Sequence, residues 1–175
     1  MHRHINIFGL CIGAYMSLIS CSTIPNGAKP VQNFDSNRYL GKWYEIARFN
    51  FRFERNMNKT TAEYSLNDDG TIKVINSGFN YKKNKQAKAI GRAKFVESPS
   101  IAKLKVSFFG PLYGSYNVIK LDEDYKYALI AGKNLDYLWI LSREKTIPDD
   151  VKIEYINEAK RVGYRTEKLI WVDQE

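Results

Sequence analysis

The chain has 175 residues, 44% of them hydrophobic, and carries 27 lysines and arginines against 19 aspartates and glutamates for a formal net charge of +8. That length suits one domain with a sizeable core, and both histidines (His2, His4) and one of the two cysteines (Cys11) fall before residue 21. Beyond that point no Ser-His-Asp or Cys-His nucleophile, no Cys/His zinc site and no internal disulfide can be assembled, so packing must supply stability.

Residues 1–20 read as a secretory signal. Arg3 supplies the positive start, and Ile5 to Ile19 is mostly apolar but too short for a membrane span. The segment Leu18-Ile19-Ser20-Cys21 resembles a bacterial lipobox. There, cleavage precedes the cysteine and its thiol takes a diacylglyceryl group. Two or more acyl chains hold a protein stably on a membrane, so an acylated Cys21 would be a durable anchor. Ser22, rather than Asp, resembles the pattern sorted to the outer membrane. Residues 21–33, rich in Pro, Ser, Thr, Asn and Gly, read as the lipidated N-terminus and a flexible tether. Residues 34–175 form the single domain. A basic protein outside the cytoplasm meets anionic lipid or acidic ligands more readily than nucleic acid.

From Gly41 to Arg143 short apolar alternations are separated by turn residues, which predicts strands near 42–50, 60–67, 71–80, 86–96, 101–109, 114–122, 126–132 and 136–143. Asp68-Asp69-Gly70 marks a tight hairpin, and Ser98-Pro99-Ser100, Gly110-Pro111, Asp122-Glu123-Asp124 and Gly132-Lys133-Asn134 mark others. Eight strands with short links predict an all-β fold, an antiparallel up-and-down barrel whose closure removes sheet edges.

Alternation assigns faces. Ala62, Tyr64 and Leu66 share one side of the second strand, and Ile72 and Val74 continue it in the third. Ala87, Ala89, Gly91, Ala93 and Phe95 oppose Lys88, Ile90, Arg92 and Lys94. Leu104, Val106 and Phe108 oppose Lys103, Lys105 and Ser107. Many inward residues are small, which leaves room for one small ligand; a filled barrel is the alternative. The strand at 114–122 has no clearly apolar face.

After Arg143 the period changes. Thr146-Ile147-Pro148-Asp149-Asp150 reads as a helix start, with Val151, Tyr155, Ile156, Ala159 and Val162 as its apolar stripe and Gly163 as its stop. The stripe should pack against the outside of the barrel, and a short final strand, Lys168 to Val172, should follow.

Three separated segments resemble the lipocalin signatures: Gly41-Lys42-Trp43, Asp124-Tyr125-Lys126-Tyr127-Ala128 and Trp139-Ile140-Leu141-Ser142-Arg143. With the lipobox and Ser107-Phe108-Phe109-Gly110-Pro111, the chain is similar to the bacterial outer-membrane lipoprotein branch of that family. The resemblance implies that Gly41, Trp43 and Arg143 close the barrel base, with the arginine across the tryptophan ring. It also implies an outer-membrane lipid anchor at Cys21, with the domain facing the periplasm.

If Trp43 closes one end, the connections 50–59, 80–86, 108–114 and 132–136 line the other. Phe51, Phe53, Arg55, Lys82, Lys83, Phe109, Leu112 and Tyr113 then form an apolar and cationic rim, and Ala62, Tyr64, Ile72, Val74, Val106, Phe108, Tyr137 and Trp139 the cavity wall. Such a site suits an amphiphile with an anionic head, a fatty acid or a lysophospholipid. The expected protein stores or carries such lipids for envelope maintenance, needs no metal or cofactor, and is not an enzyme. The rim aromatics equally suit contact with a bilayer or pairing with a second copy. The alternatives are a carrier of another hydrophobic molecule, a structural or adhesive lipoprotein, and a lipocalin-like enzyme acting on a lipid through Glu45 or Glu63. Without histidine, axial haem ligation is disfavoured.

Overall fold

Eight antiparallel strands follow the turn residues in a computed structural model that describes residues 23–175. The expected signal and Cys21 lie outside the described residues. The strands are β1 (Gly41–Arg48), β2 (Met57–Leu66), β3 (Ile72–Asn80), β4 (Lys85–Phe95), β5 (Lys103–Phe109), β6 (Leu112–Leu121), β7 (Tyr127–Ala131) and β8 (Leu138–Ser142). Each pairs with the next, and β1 pairs with both β8 and β2, closing the barrel.

Short polar side chains fix the turns. Asp69 Oδ1 accepts hydrogen bonds from the Thr71 backbone N–H and hydroxyl, while Gly70 takes a positive φ of 76°. Asp122 Oδ1 accepts from the backbone N–H groups of Lys126 and Tyr127, tying off the β6–β7 turn.

A helix, α2 (Asp149–Val162), follows β8; its first turn carries Asp149 and Asp150, where acids complement the helix dipole. It ends at Gly163 in the left-handed conformation. Tyr155, Ala159 and Val162 are buried against Ile46, Ala47, Leu129, Leu138 and Ile140 on the outside of the barrel. The Tyr155 hydroxyl donates to the Tyr127 carbonyl. The short final strand β9 (Ile170–Trp171) adds to β1 at Ala47 and Arg48.

β1 and β2 pair only from Gly41 to Tyr44 on the β1 side. Beyond that the C-terminal residues lie between them. The buried Gln174 side chain donates to the carbonyls of Glu45 and Thr60, and Lys59 N–H donates to the Asp173 carbonyl.

Three features depart from the sequence reading. A one-turn helix, α1 (Ser36–Tyr39), precedes β1, capped by the Asp35 side chain. β2 begins at Met57, three residues early. Residues 23–33, read as tether, lie along the barrel wall. Val31 N–H donates to the Val118 carbonyl, Ala102 N–H donates to the Val31 carbonyl, and Gln32 bridges to Ile101. The Asn117 side chain donates to the Thr23 carbonyl, and Pro25 is buried. Composition rich in Pro, Gly and Ser reads as solvated, yet backbone groups pairing with an available strand need no apolar side chains.

Candidate functional site: a capped barrel with an apolar cavity

The closed end is built around Trp43, which is fully buried. Its indole N–H donates to the Tyr39 carbonyl, and the Tyr39 ring packs on it with centroids 4.7 Å apart. Arg143 also lies over the indole, its guanidinium carbon 3.9 Å from the Trp43 ring centre. The same guanidinium donates to three carbonyls, those of Arg38, Lys42 and Tyr125. Gly41 has φ of 90°, and a Cβ there would stand 3.4 Å from Arg143 Nη1. Glycine is required by the backbone conformation, with the arginine filling the adjacent space.

Above this base a cavity of about 540 Å³ runs towards the open end, within the range of small-molecule sites. Ala62, Tyr64, Ile72, Val74, Val106, Phe108, Tyr137 and Trp139 all line it, with Ala87, Ala89, Ala93 and Leu104 from the small inward faces of β4 and β5. Phe108 lies against Gly91, where a Cβ would come within 2.7 Å of its ring. Leu66, assigned to the inner face, is 57% exposed, because it is the last residue of β2 beside the Asn67–Thr71 turn.

At the mouth, Phe51, Phe53, Phe109, Leu112 and Tyr113 line the cavity. Phe53, Phe109 and Leu112 are largely exposed. The Phe51 ring stands 4.8 Å from Trp139 and 5.7 Å from Tyr137, packed on the cavity wall. Arg55, Lys82 and Lys83 are exposed and are not among the lining residues; the cations that line the cavity are Lys88 and Lys133. Strict alternation places Lys88 outward, yet it borders the cavity near the β3–β4 end of its strand.

One polar cluster inside the barrel was not read from the sequence. The β1–β8 register shifts between Glu45 and Ala47. This bulge turns Ile46 and Ala47 outward to α2 and brings Glu45 and Arg48, three residues apart, to the same side. Arg48 is 2% exposed. Its guanidinium stands 3.4 Å from Glu45 Oε1 and 3.6 Å from Glu54 Oε2, and donates to the carbonyls of Glu54 and Met57. Thr60 Oγ1 donates to Glu45, and the Trp139 indole N–H donates to Glu54 Oε2. The cluster pins the β1–β2 connection, with Phe51 and Phe53, over the mouth. Burial raises the Glu45 carboxyl well above the ordinary range, and it raises Glu54 likewise. Two carboxyls beside one guanidinium in an apolar wall favour retention of a proton. An acid and a base three apart in an apolar strand were the available signal. Glu63, the other acid considered, is exposed. Among the described residues no group of histidine, cysteine and acids could hold a metal.

The comparisons agree with this geometry. The family model described as a lipocalin-like domain matches residues 34–174. The outer membrane lipoprotein Blc of Escherichia coli (strain K12) is 54% identical over 159 residues, covering 90% of each chain. Its Vibrio cholerae counterpart is 45% identical over 159 residues, 90% of this chain and 93% of the relative. Apolipoprotein D of Mus musculus is 35% identical over 156 residues, 83% of this chain and 80% of the relative. Among solved structures, insecticyanin from the tobacco hornworm Manduca sexta superposes with a TM-score of 0.70 at 21% identity, covering 87% of each chain, a likeness of fold. A capped eight-stranded barrel with its helix outside, matched by the family model across the whole domain, makes this chain a member of the lipocalin family.

Proposed function

We propose that the protein is an outer-membrane lipoprotein that stores or transfers fatty acids or lysophospholipids, held on the membrane through an acylated Cys21 with its domain on the periplasmic side. The observation that carries this reading is the apolar cavity of about 540 Å³ above a sealed base. Burying about fifteen methylenes at ~0.8 kcal/mol each gives a gross gain of roughly 12 kcal/mol. Association and ordering remove much of it, which leaves affinities on the order of micromolar. Lys88 and Lys133 at the cavity lining favour an anionic head left near the mouth. The names of the relatives, outer membrane lipoproteins, support the location. The exposed Phe53, Phe109 and Leu112 offer the surface on which a second copy would pair.

Trp139 is the reporter. It lines the cavity, whereas Trp43 is sealed in the base and Trp171 lies outside on β9. Titrating the delipidated protein with lysophospholipid should quench Trp139 fluorescence to saturation. An unchanged signal up to tens of micromolar, with no lipid co-purifying by mass spectrometry, would remove the carrier reading.

A further inference from the structure

Three tyrosines from three elements meet at the deep end of the cavity. Tyr39 comes from α1, Tyr64 from β2 and Tyr116 from β6, and all three line the cavity. The Tyr116 hydroxyl oxygen stands 2.7 Å from that of Tyr39 and 2.9 Å from that of Tyr64. Among the described residues these are the only hydrogen bonds those hydroxyls make.

The proton count is unequal. Three phenols supply three O–H donors, and two oxygen–oxygen contacts use two of them. Whichever way the chain is oriented, one O–H is left over. The leftover donor falls at one of three oxygens and can move along the chain as the hydroxyls rotate. Tyr39 and Tyr64 are 5% and 7% exposed, so bulk water does not reach them freely. Burial raises all three phenols above their ordinary range, which keeps them neutral and keeps the donor in place. A buried donor without an acceptor is costly, whereas one that meets an acceptor is not.

Resting on the carrier reading above, we infer that Tyr39, Tyr64 and Tyr116 form a second polar subsite at the closed end, which accepts an oxygen borne by the leading end of the ligand's hydrocarbon chain. The ligand class is thus a long apolar molecule with oxygen at both ends: an anionic head at the mouth and a hydroxyl, carbonyl or carboxyl group at the base. A hydroxyl is the best match, because it can accept the spare proton and donate its own to a phenol oxygen. A methyl-ended tail long enough to reach the base would leave the spare O–H unpaired, so the base discriminates between tail ends at equal tail length.

The test uses matched probes on the delipidated protein: hexadecanoic acid, its ω-hydroxy derivative, and shorter homologues of both. In the wild type, the hydroxy-ended probe should bind at least as tightly as its methyl-ended parent at the chain length that reaches the base. In the variant Tyr39→Phe/Tyr64→Phe/Tyr116→Phe, which removes donors and acceptors together, the ratio of the two dissociation constants should shift towards the methyl-ended probe by about tenfold or more. An identical ratio in both proteins at every length, with hexadecanoic acid still binding saturably, overturns the subsite and leaves the carrier reading standing. Failure of every probe to bind the wild type overturns both. Should the triple variant not fold, the wild-type length series decides. A hydroxyl advantage confined to one length supports the subsite, and a hydroxyl penalty at every length overturns it.

Discussion

Arg143 lies over the Trp43 ring, its guanidinium carbon 3.9 Å from the ring centre, and the same side chain donates to carbonyls of Arg38 and Lys42 at 2.8 and 2.9 Å. One residue after β8 thereby clamps α1 and the start of β1 to the barrel floor. Replacing Arg143 with alanine removes the cation–π contact and leaves three carbonyls without that donor. A stability loss of roughly 2–4 kcal/mol is expected in urea unfolding. Arg143→Lys keeps the charge but loses the planar fork, and should recover less than half of that.

The Glu45 and Glu54 carboxyls set a pH dependence whose sign follows from their raised values. The folded protein holds more protons than the unfolded chain above the ordinary carboxyl value, so raising pH through that region works against the fold. Stability contributed by this cluster should be fully present below about pH 4.5 and be lost as pH climbs towards the folded values. The exposed Asp69 and Asp124 are shifted down by hydrogen bonds from Thr71 and Lys126, and act in the opposite sense at lower pH. The comparison with Glu45→Gln isolates the cluster. The two proteins should converge in acid, and the variant should be the more stable at pH 8; a wild type that gains on the variant as pH rises would contradict the assignment.

Filling the cavity should separate binding from folding. Ala62→Phe puts a ring into the space beside Tyr64 and Trp43's strand, on a wall that is half-buried in the free protein. Excluding two or three methylenes of ligand at ~0.8 kcal/mol each predicts an affinity loss of about tenfold or more. The thermal unfolding midpoint, followed by circular dichroism, should move by only a few degrees.

Phe51, on the β1–β2 connection, lines the cavity and packs against Trp139 and Tyr137. Phe51→Ala widens the exit without touching the floor. Stopped-flow displacement should show ligand leaving several-fold faster, with a smaller change in the association rate. An unchanged exit rate would mean that another part of the mouth limits release.

How much of this could be read from residues alone varies along the chain. Ala62, Tyr64, Ile72, Val74 and Val106 obey a strict two-residue period, and that period places them in the wall. The period fails where the backbone departs from regular pairing. The bulge after Glu45 reverses the face of Arg48, so a charged side chain sits inside where alternation puts it outside. Tyr39 belongs to a single helical turn of polar composition, Ser36 to Tyr39, too short to carry a helical stripe. Tyr116 lies in the strand with no clearly apolar face, because Asn117, buried beside it, donates to the carbonyls of Thr23 and Ala131. The loop cations Arg55, Lys82 and Lys83 carry no period at all. Nothing in their spacing tells which way a turn will aim them.

The strapping of residues 23–33 to the barrel changes how a lipid on Cys21 would hold the molecule. Thr23 is fixed beside Ala131 and Gly132, where β7 gives way to the connection at the open end. Two residues of chain span at most about 7 Å, so an anchor on Cys21 would leave the barrel no long leash on which to swing. Were Cys21 acylated as proposed, its acyl chains and the opening would lie at the same pole of the barrel, and a departing lipid tail would meet the leaflet without a journey through water.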